Sequence, residues 1–445
     1  MPEIASPSAS TLTPAKTARQ RTDTFTSIWM MIAVAMALAT LVAKSRMPQP
    51  LWTMIHLVTL GVLSNGIFQW SWFFARSLAR LSADDPRARR HNTIRVLIFN
   101  AFFASLFVSM WLGWMVGTVI AATGIAAVAA WHGAEMLSVL RERLASRFVV
   151  VVRYYVCSAS FFVLAALLAS FVTATMFSPS IPEAMVAMRD RLTLAHALSG
   201  VAGWVGLTIG GTVITLGPTI LRTRMSPDAV SGGVRVLLPW CLSLLLAIAG
   251  ALLGVMPLVG AGILAVGACA IVGIVYPYAK VLRNKGPREY SAWSFLLGLL
   301  WISVGVCALG VASLFVSTPS QLRALTLMWL PIIGIAGFAQ LFQGALSYLM
   351  PVVIGGGPSI VRIGIAIIDW QFPLRLGLRN SALILELFLF FAGDSTSVHV
   401  LRMAGWFLVI ATFVIDVVIY AKTGVTQART RRARSETLSE SRQVQ

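Results

Sequence analysis

The chain has 445 residues, of which 58% are hydrophobic and only 11% charged, with a mean hydropathy of +0.82. A soluble domain needs roughly 25% charged residues to cover its core, so a string of soluble domains is excluded and an all-α, polytopic helix bundle in a lipid bilayer is implied. The net charge of +19 comes mostly from Arg and Lys in short loops between apolar runs, which reports membrane topology rather than a nucleic-acid partner.

In chain order, residues 1–26 are rich in Ser, Thr and Ala and carry Lys16, Arg19 and Arg21; they are expected to be a disordered cytoplasmic tail. The first apolar run, 27–43, is followed by Lys44 and Arg46 and not by a small-residue cleavage site. This predicts an uncleaved first helix rather than a signal peptide. Further runs of near-spanning length follow at 51–75, 94–112, 114–139, 150–177, 193–216, 234–254, 256–280, 292–316, 326–353, 379–393 and 400–421. Twelve spans are therefore expected within a membrane domain covering 27–422, with a basic cytoplasmic tail at 423–445. The weakest is 379–393, which is short and holds Glu386. Between the tenth and eleventh spans, a Gly-rich start at 355–358 leads into Ile363, Ile367 and Trp370, a pattern that predicts a surface helix along the cytoplasmic face.

Even-numbered loops carry Arg76 to Arg95, then Arg141, Arg143 and Arg147, then Arg222 and Arg224, then Arg283, Lys285 and Arg288, then Arg362 and Arg375; odd-numbered loops carry far fewer basic residues. The asymmetry predicts a plasma-membrane protein with both termini cytoplasmic. Cys157, Cys241, Cys269 and Cys307 all lie in apolar runs without CxxC spacing, as small buried hydrophobes do.

Two segments echo one another. Residues 203–218 read GWVGLTIGGTVITLGP and residues 336–351 read AGFAQLFQGALSYLMP, with Gly211 and Gly344 each seven residues before Pro218 and Pro351. Small residues at this spacing let two helices approach closely. The second span also sets a His near a Gly, as the sixth does. A rhythm of two, six and ten predicts three four-helix arcs about a pseudo-threefold axis.

Ionisable groups inside spans are costly and point to function. His56 and His196 open the second and sixth spans at similar depth near the outer face, and His399 lies in the last outer loop; His91 lies in the Arg-rich loop and is expected to be solvated. Imidazole is a common ligand for haem iron and copper. His56 and His196 are thus candidates to hold haem or copper, with His399 or Met54, Met328 or Met403 completing the site. The alternative is that each His bonds a backbone carbonyl at the interface. His132 and Glu135, three residues apart on the fourth span, are a candidate proton-handling or metal pair; alternatively Glu135 meets Arg141 or Arg143 at the membrane surface. Glu386 and Asp416 each need a partner, for which Arg379 and Lys422 are in reach.

The segments HLVTLGVLSNGIFQWSWFFA (56–75), LAHALSGVAGWVGLTIGGTVITLGPTILRTRM (194–225) and GFAQLFQGALSYLMPVVIGGGPS (337–359) resemble an actinobacterial membrane domain found alone or joined to a multicopper oxidase or copper nitrite-reductase module. That domain is distantly similar to the NnrS family and to subunit I of haem-copper oxidases. The resemblance implies a twelve-helix fold in which helices two, six and ten are equivalent, with His ligands near the outer face that His56 and His196 would match. It also implies haem or copper as cofactor and, as partner, a separate copper oxidase or electron-transfer protein. The chain departs from the pattern at Leu198, where such domains often carry a second His, and in the tenth span, where Met328, Trp329 and Pro331 stand in place of any His. Without ligands on the seventh and tenth spans, oxygen or nitric-oxide reduction of the haem-copper type is excluded. A transporter or channel for a small, weakly polar solute and a scaffold that has lost its ligands are the competing readings.

Overall fold

The computed structural model describes residues 18–43, 49–82, 84–143, 149–177, 182–393 and 395–443. Among these residues there is no strand, and the helical segments join into thirteen continuous helices. In chain order they are α1 (Ala18–Ala43), α2 (Pro50–Leu78), α3 (Arg87–Trp111), α4 (Met115–Glu142), α5 (Val149–Met176), α6 (Ala184–Ile220), α7 (Pro227–Leu253), α8 (Met256–Asn284), α9 (Tyr290–Ser313), α10 (Pro319–Ile354), α11 (Pro358–Ile368), α12 (Phe372–Leu389) and α13 (Thr396–Gln443). Ten of them, α2 to α10 and α13, are long and apolar enough to cross a bilayer. The two remaining expected spans also form helices, but α1 has a shorter apolar stretch, Phe25–Thr40, and α12 is shorter still in apolar content because it holds Arg375, Arg379 and Glu386.

Both ends are more helical than the sequence reading expects. Residues 18–26 belong to α1, and α13 continues through the basic segment from 423 to Gln443. That extension is tied to α10, where Gln427 Nε2 donates to the Pro351 carbonyl at 2.7 Å and Arg431 to the Ile354 carbonyl at 2.8 Å. Residues 1–17, with Lys16, lie outside the described residues, as do Lys44, Arg46 and Arg147.

Most helices pack against their neighbours in the chain. Contacts run from α3 through α4 and α5 to α6, from α7 through α8 and α9 to α10, and from α12 through α13 and α1 to α2, so that α13 meets α1 and closes the ring. These are the three four-helix arcs expected from the echo. Each arc ends on a helix containing a π-helical stretch, with its wider turn and i→i+5 bonds: Leu57–Ser64 in α2, Leu198–Gly206 in α6 and Ile332–Ala339 in α10. Shorter π turns open α3 at Arg87–His91 and interrupt α8 at Ile271–Val275.

Glycines let each of these three helices approach its predecessor. A Cβ on Gly61 would come within 3.2 Å of Trp29 in α1, one on Gly211 within 2.6 Å of Tyr154 in α5, and one on Gly344 within 2.5 Å of the Phe295 backbone nitrogen in α9. The expected surface helix exists as α11. It follows Gly355, Gly356 and Gly357, all at positive φ, a conformation that L side chains disfavour. Its buried face is Ile360, Gly364 and Ile368, whereas Ile363 and Trp370 are exposed.

Candidate functional site

The start of α2 is pinned to the end of α3. Trp111 Nε1 donates to Thr53 Oγ1 at 3.0 Å, and Gln49 Nε2 reaches the Met110 carbonyl at 3.4 Å. This fixes the turn that ends at His56, immediately before the π stretch of α2. On α6, His196 stands two residues before the corresponding π stretch, behind the buried Leu194 and Ala195. The two imidazoles come together from different arcs with ring centroids 6.2 Å apart and planes 16° from parallel. Trp52, one turn before His56, stacks on it with ring centroids 4.3 Å apart.

Each ring is oriented by a main-chain carbonyl. His56 Nδ1 lies 2.8 Å from the Trp52 oxygen and His196 Nδ1 lies 2.8 Å from the Ala165 oxygen of α5. A carbonyl oxygen only accepts, so both Nδ1 atoms carry the proton and both Nε2 atoms keep a free lone pair. Metal-bound histidines are held in this way, with the non-ligating N–H given to a carbonyl. The backbone-bonded alternative and the ligand reading therefore describe two nitrogens of the same ring.

Among the described residues no third His, Cys, Asp or Glu gathers with this pair. His399 is exposed on the first turn of α13, and Met328 and Met403 are 45% and 50% exposed. Two imidazoles suit a metal that needs only two protein ligands: a haem iron, whose porphyrin supplies the other four nitrogens, or a cuprous ion, for which neutral imidazole is also a ligand.

His132 and Glu135 make no hydrogen bond to one another, and Glu135 has partners other than Arg141 and Arg143. His132 is fully buried between α2 and α6, edge-on to Phe68, Trp72 and Trp204, with Nε2 3.3 Å from Ser71 Oγ and Nδ1 without a partner among the described residues. Glu135 turns to α3 instead. It accepts from the fully buried Arg95, from His91 Nδ1 at 2.7 Å and from Trp131 Nε1 at 2.9 Å. Arg141 and Arg143 are not its partners, and His91, expected to be merely solvated, is held by this carboxylate.

Asp416 is fully buried and is met by Arg379, as expected, and also by Arg375; Tyr290 donates its hydroxyl to it at 2.7 Å. Glu386 is approached by Arg402 at 3.6 Å, while Lys422 is exposed. Trp52 and the Ala165 carbonyl are the site members that sequence reading missed. The spacing of four residues before His56 marks Trp52 in retrospect, whereas no local signal marks a carbonyl on another helix. The chain matches no protein-family model and none of the curated proteins compared with it.

Proposed function

We propose that this helical membrane protein holds a haem iron or a copper ion between His56 and His196 and serves redox chemistry or metal handling. The carrying observation is the pair of facing imidazoles, each with its Nδ1 proton given to a carbonyl and its Nε2 lone pair free. When bound, the group supplies one-electron chemistry; the protein orients the two rings and flanks one of them with Trp52. The positive-inside asymmetry of the loops supports a plasma-membrane orientation with this centre on the outer side. There it would meet a separate copper oxidase or electron-transfer protein, as the resemblance implies.

The test is an optical spectrum with metal analysis on protein purified in mild detergent, wild type beside His56→Ala, His196→Ala and His399→Ala. A Soret band or stoichiometric copper is expected in the wild type and in His399→Ala, and is expected to vanish in the other two. A colourless, metal-free wild type would overturn the proposal and leave transport or scaffolding. Passage of a small, weakly polar solute has its own support in an apolar cavity beside α6. That reading is tested by uptake of such solutes into vesicles carrying the protein.

A further inference from the structure

A cavity of about 160 Å³ lies between α6, α7, α8, α9 and α10. Three π stretches contribute to its wall, through Leu198 and Val201 of α6, Ile274 of α8, and Ile333 and Phe338 of α10. π turns recur at functional sites because the extra residue per turn displaces the backbone and re-aims side chains. Here three of them open space in one place.

The wall is almost wholly apolar. Its two hydroxyls bond back to their own helices, Ser303 to the Leu299 carbonyl and Thr326 to the Leu322 carbonyl, both at 2.8 Å. The indole nitrogen of Trp240 is the one polar side-chain atom of the wall without a protein partner among the described residues. A buried water needs two to four polar partners, so this space is dry; a cavity of roughly 150 Å³ with such a lining holds a benzene-sized apolar molecule. An empty apolar cavity destabilises the fold in proportion to its volume. The reservoir available to fill it is the bilayer. Ile271, in the π turn of α8, lines the cavity and is itself 40% exposed, next to Val272 at 63%, which provides a lateral way in.

We propose that this cavity binds the hydrocarbon chain of a membrane lipid, acyl or isoprenoid, admitted from the bilayer at the π turn of α8. Neither His56 nor His196 lines the cavity, so the inference does not rest on the metal centre.

The full-length protein in mild detergent is to be labelled with a photoactivatable fatty acid and, separately, with a photoactivatable isoprenoid, and the crosslinks mapped by mass spectrometry. Crosslinks to the cavity-lining stretches of α6, α8 and α10 are expected with one or both probes, and which probe labels identifies the chain. Ala202→Phe and Ala270→Phe, which fill the cavity from two helices, are expected to cut this labelling several-fold while keeping the wild-type melting temperature. His196→Ala should leave it unchanged. Labelling confined to outward positions such as Val272, or equal in wild type and both filled variants, would overturn the proposal.

Discussion

His132 illustrates what burial does to a polar side chain that is only half satisfied. Its Nε2 has Ser71, its Nδ1 has no partner among the described residues, and three aromatic rings close around it. One hydrogen bond gained against one nitrogen left bare gives little net stabilisation, because a typical bond contributes about 1 kcal/mol and an unsatisfied buried group costs at least as much. His132→Leu is therefore expected to unfold within about 1 kcal/mol of wild type in denaturant titrations, and to keep any spectrum that the proposed His56–His196 centre gives. A stable His132→Leu protein that loses that spectrum would instead assign His132 to the centre. Glu135 shows the complementary limit of sequence reading. Helical spacing nominated His132, Arg141 and Arg143, all on its own helix or the next loop, but its basic partners Arg95 and His91 come from α3, 40 and 44 residues away. By contrast, His56 and His196 open helices four apart in order, so sequence reading could bring them together, though it gathered His399 with them and that residue is exposed on α13.

At the scale of elements, the echo between 203–218 and 336–351 marked helix contacts and also, unrecognised, a shared backbone distortion. A π stretch leaves no fixed residue signature, so the sequence could place α2, α6 and α10 as equivalents but not reveal the wide turn in each. The beginning of α12 was misjudged for a different reason. Arg375 reads as a loop residue because an unpaired guanidinium inside a bundle is costly, and only the partner on α13 makes its burial possible. The glycine contacts carry a direct test. A Cβ on Gly344 would meet the α9 backbone at Phe295 N, 2.5 Å, and Ser291 O, 2.8 Å, and backbone in a packed helix pair cannot step aside. Gly344→Ala is expected to destabilise by about 1–3 kcal/mol through overpacking, seen as a lowered thermal midpoint in detergent. Gly286→Ala, where an added Cβ meets nothing within 4 Å, should leave the midpoint unchanged or slightly raised.

The whole bundle is a ring of three arcs, and the third arc is tied to the second through a buried charge, Asp416 on α13. The carboxylate takes Arg375 and Arg379 from α12 and the Tyr290 hydroxyl from α9, while Arg379 also donates to Gln343 of α10 at 3.0 Å and to Thr412 of α13 at 3.0 Å. Four helices from two arcs thus meet on one buried charge. Two guanidiniums face a single carboxylate, and each stays buried because its other N–H groups are bonded to carbonyls, Gln343 or Thr412. Removing the carboxylate leaves both cations in a low-dielectric interior with no counter-charge. Breaking a buried pair in this way costs about 3–5 kcal/mol, although replacing the whole cluster by apolar residues of similar size is often neutral. Asp416→Ala is accordingly expected to unfold at markedly lower denaturant concentration than wild type. The triple change Arg375→Met, Arg379→Met, Asp416→Leu is expected to recover most of that loss. If Asp416→Ala unfolds at the wild-type midpoint, the third arc is held by its apolar contacts alone, and the cluster does not lock the ring.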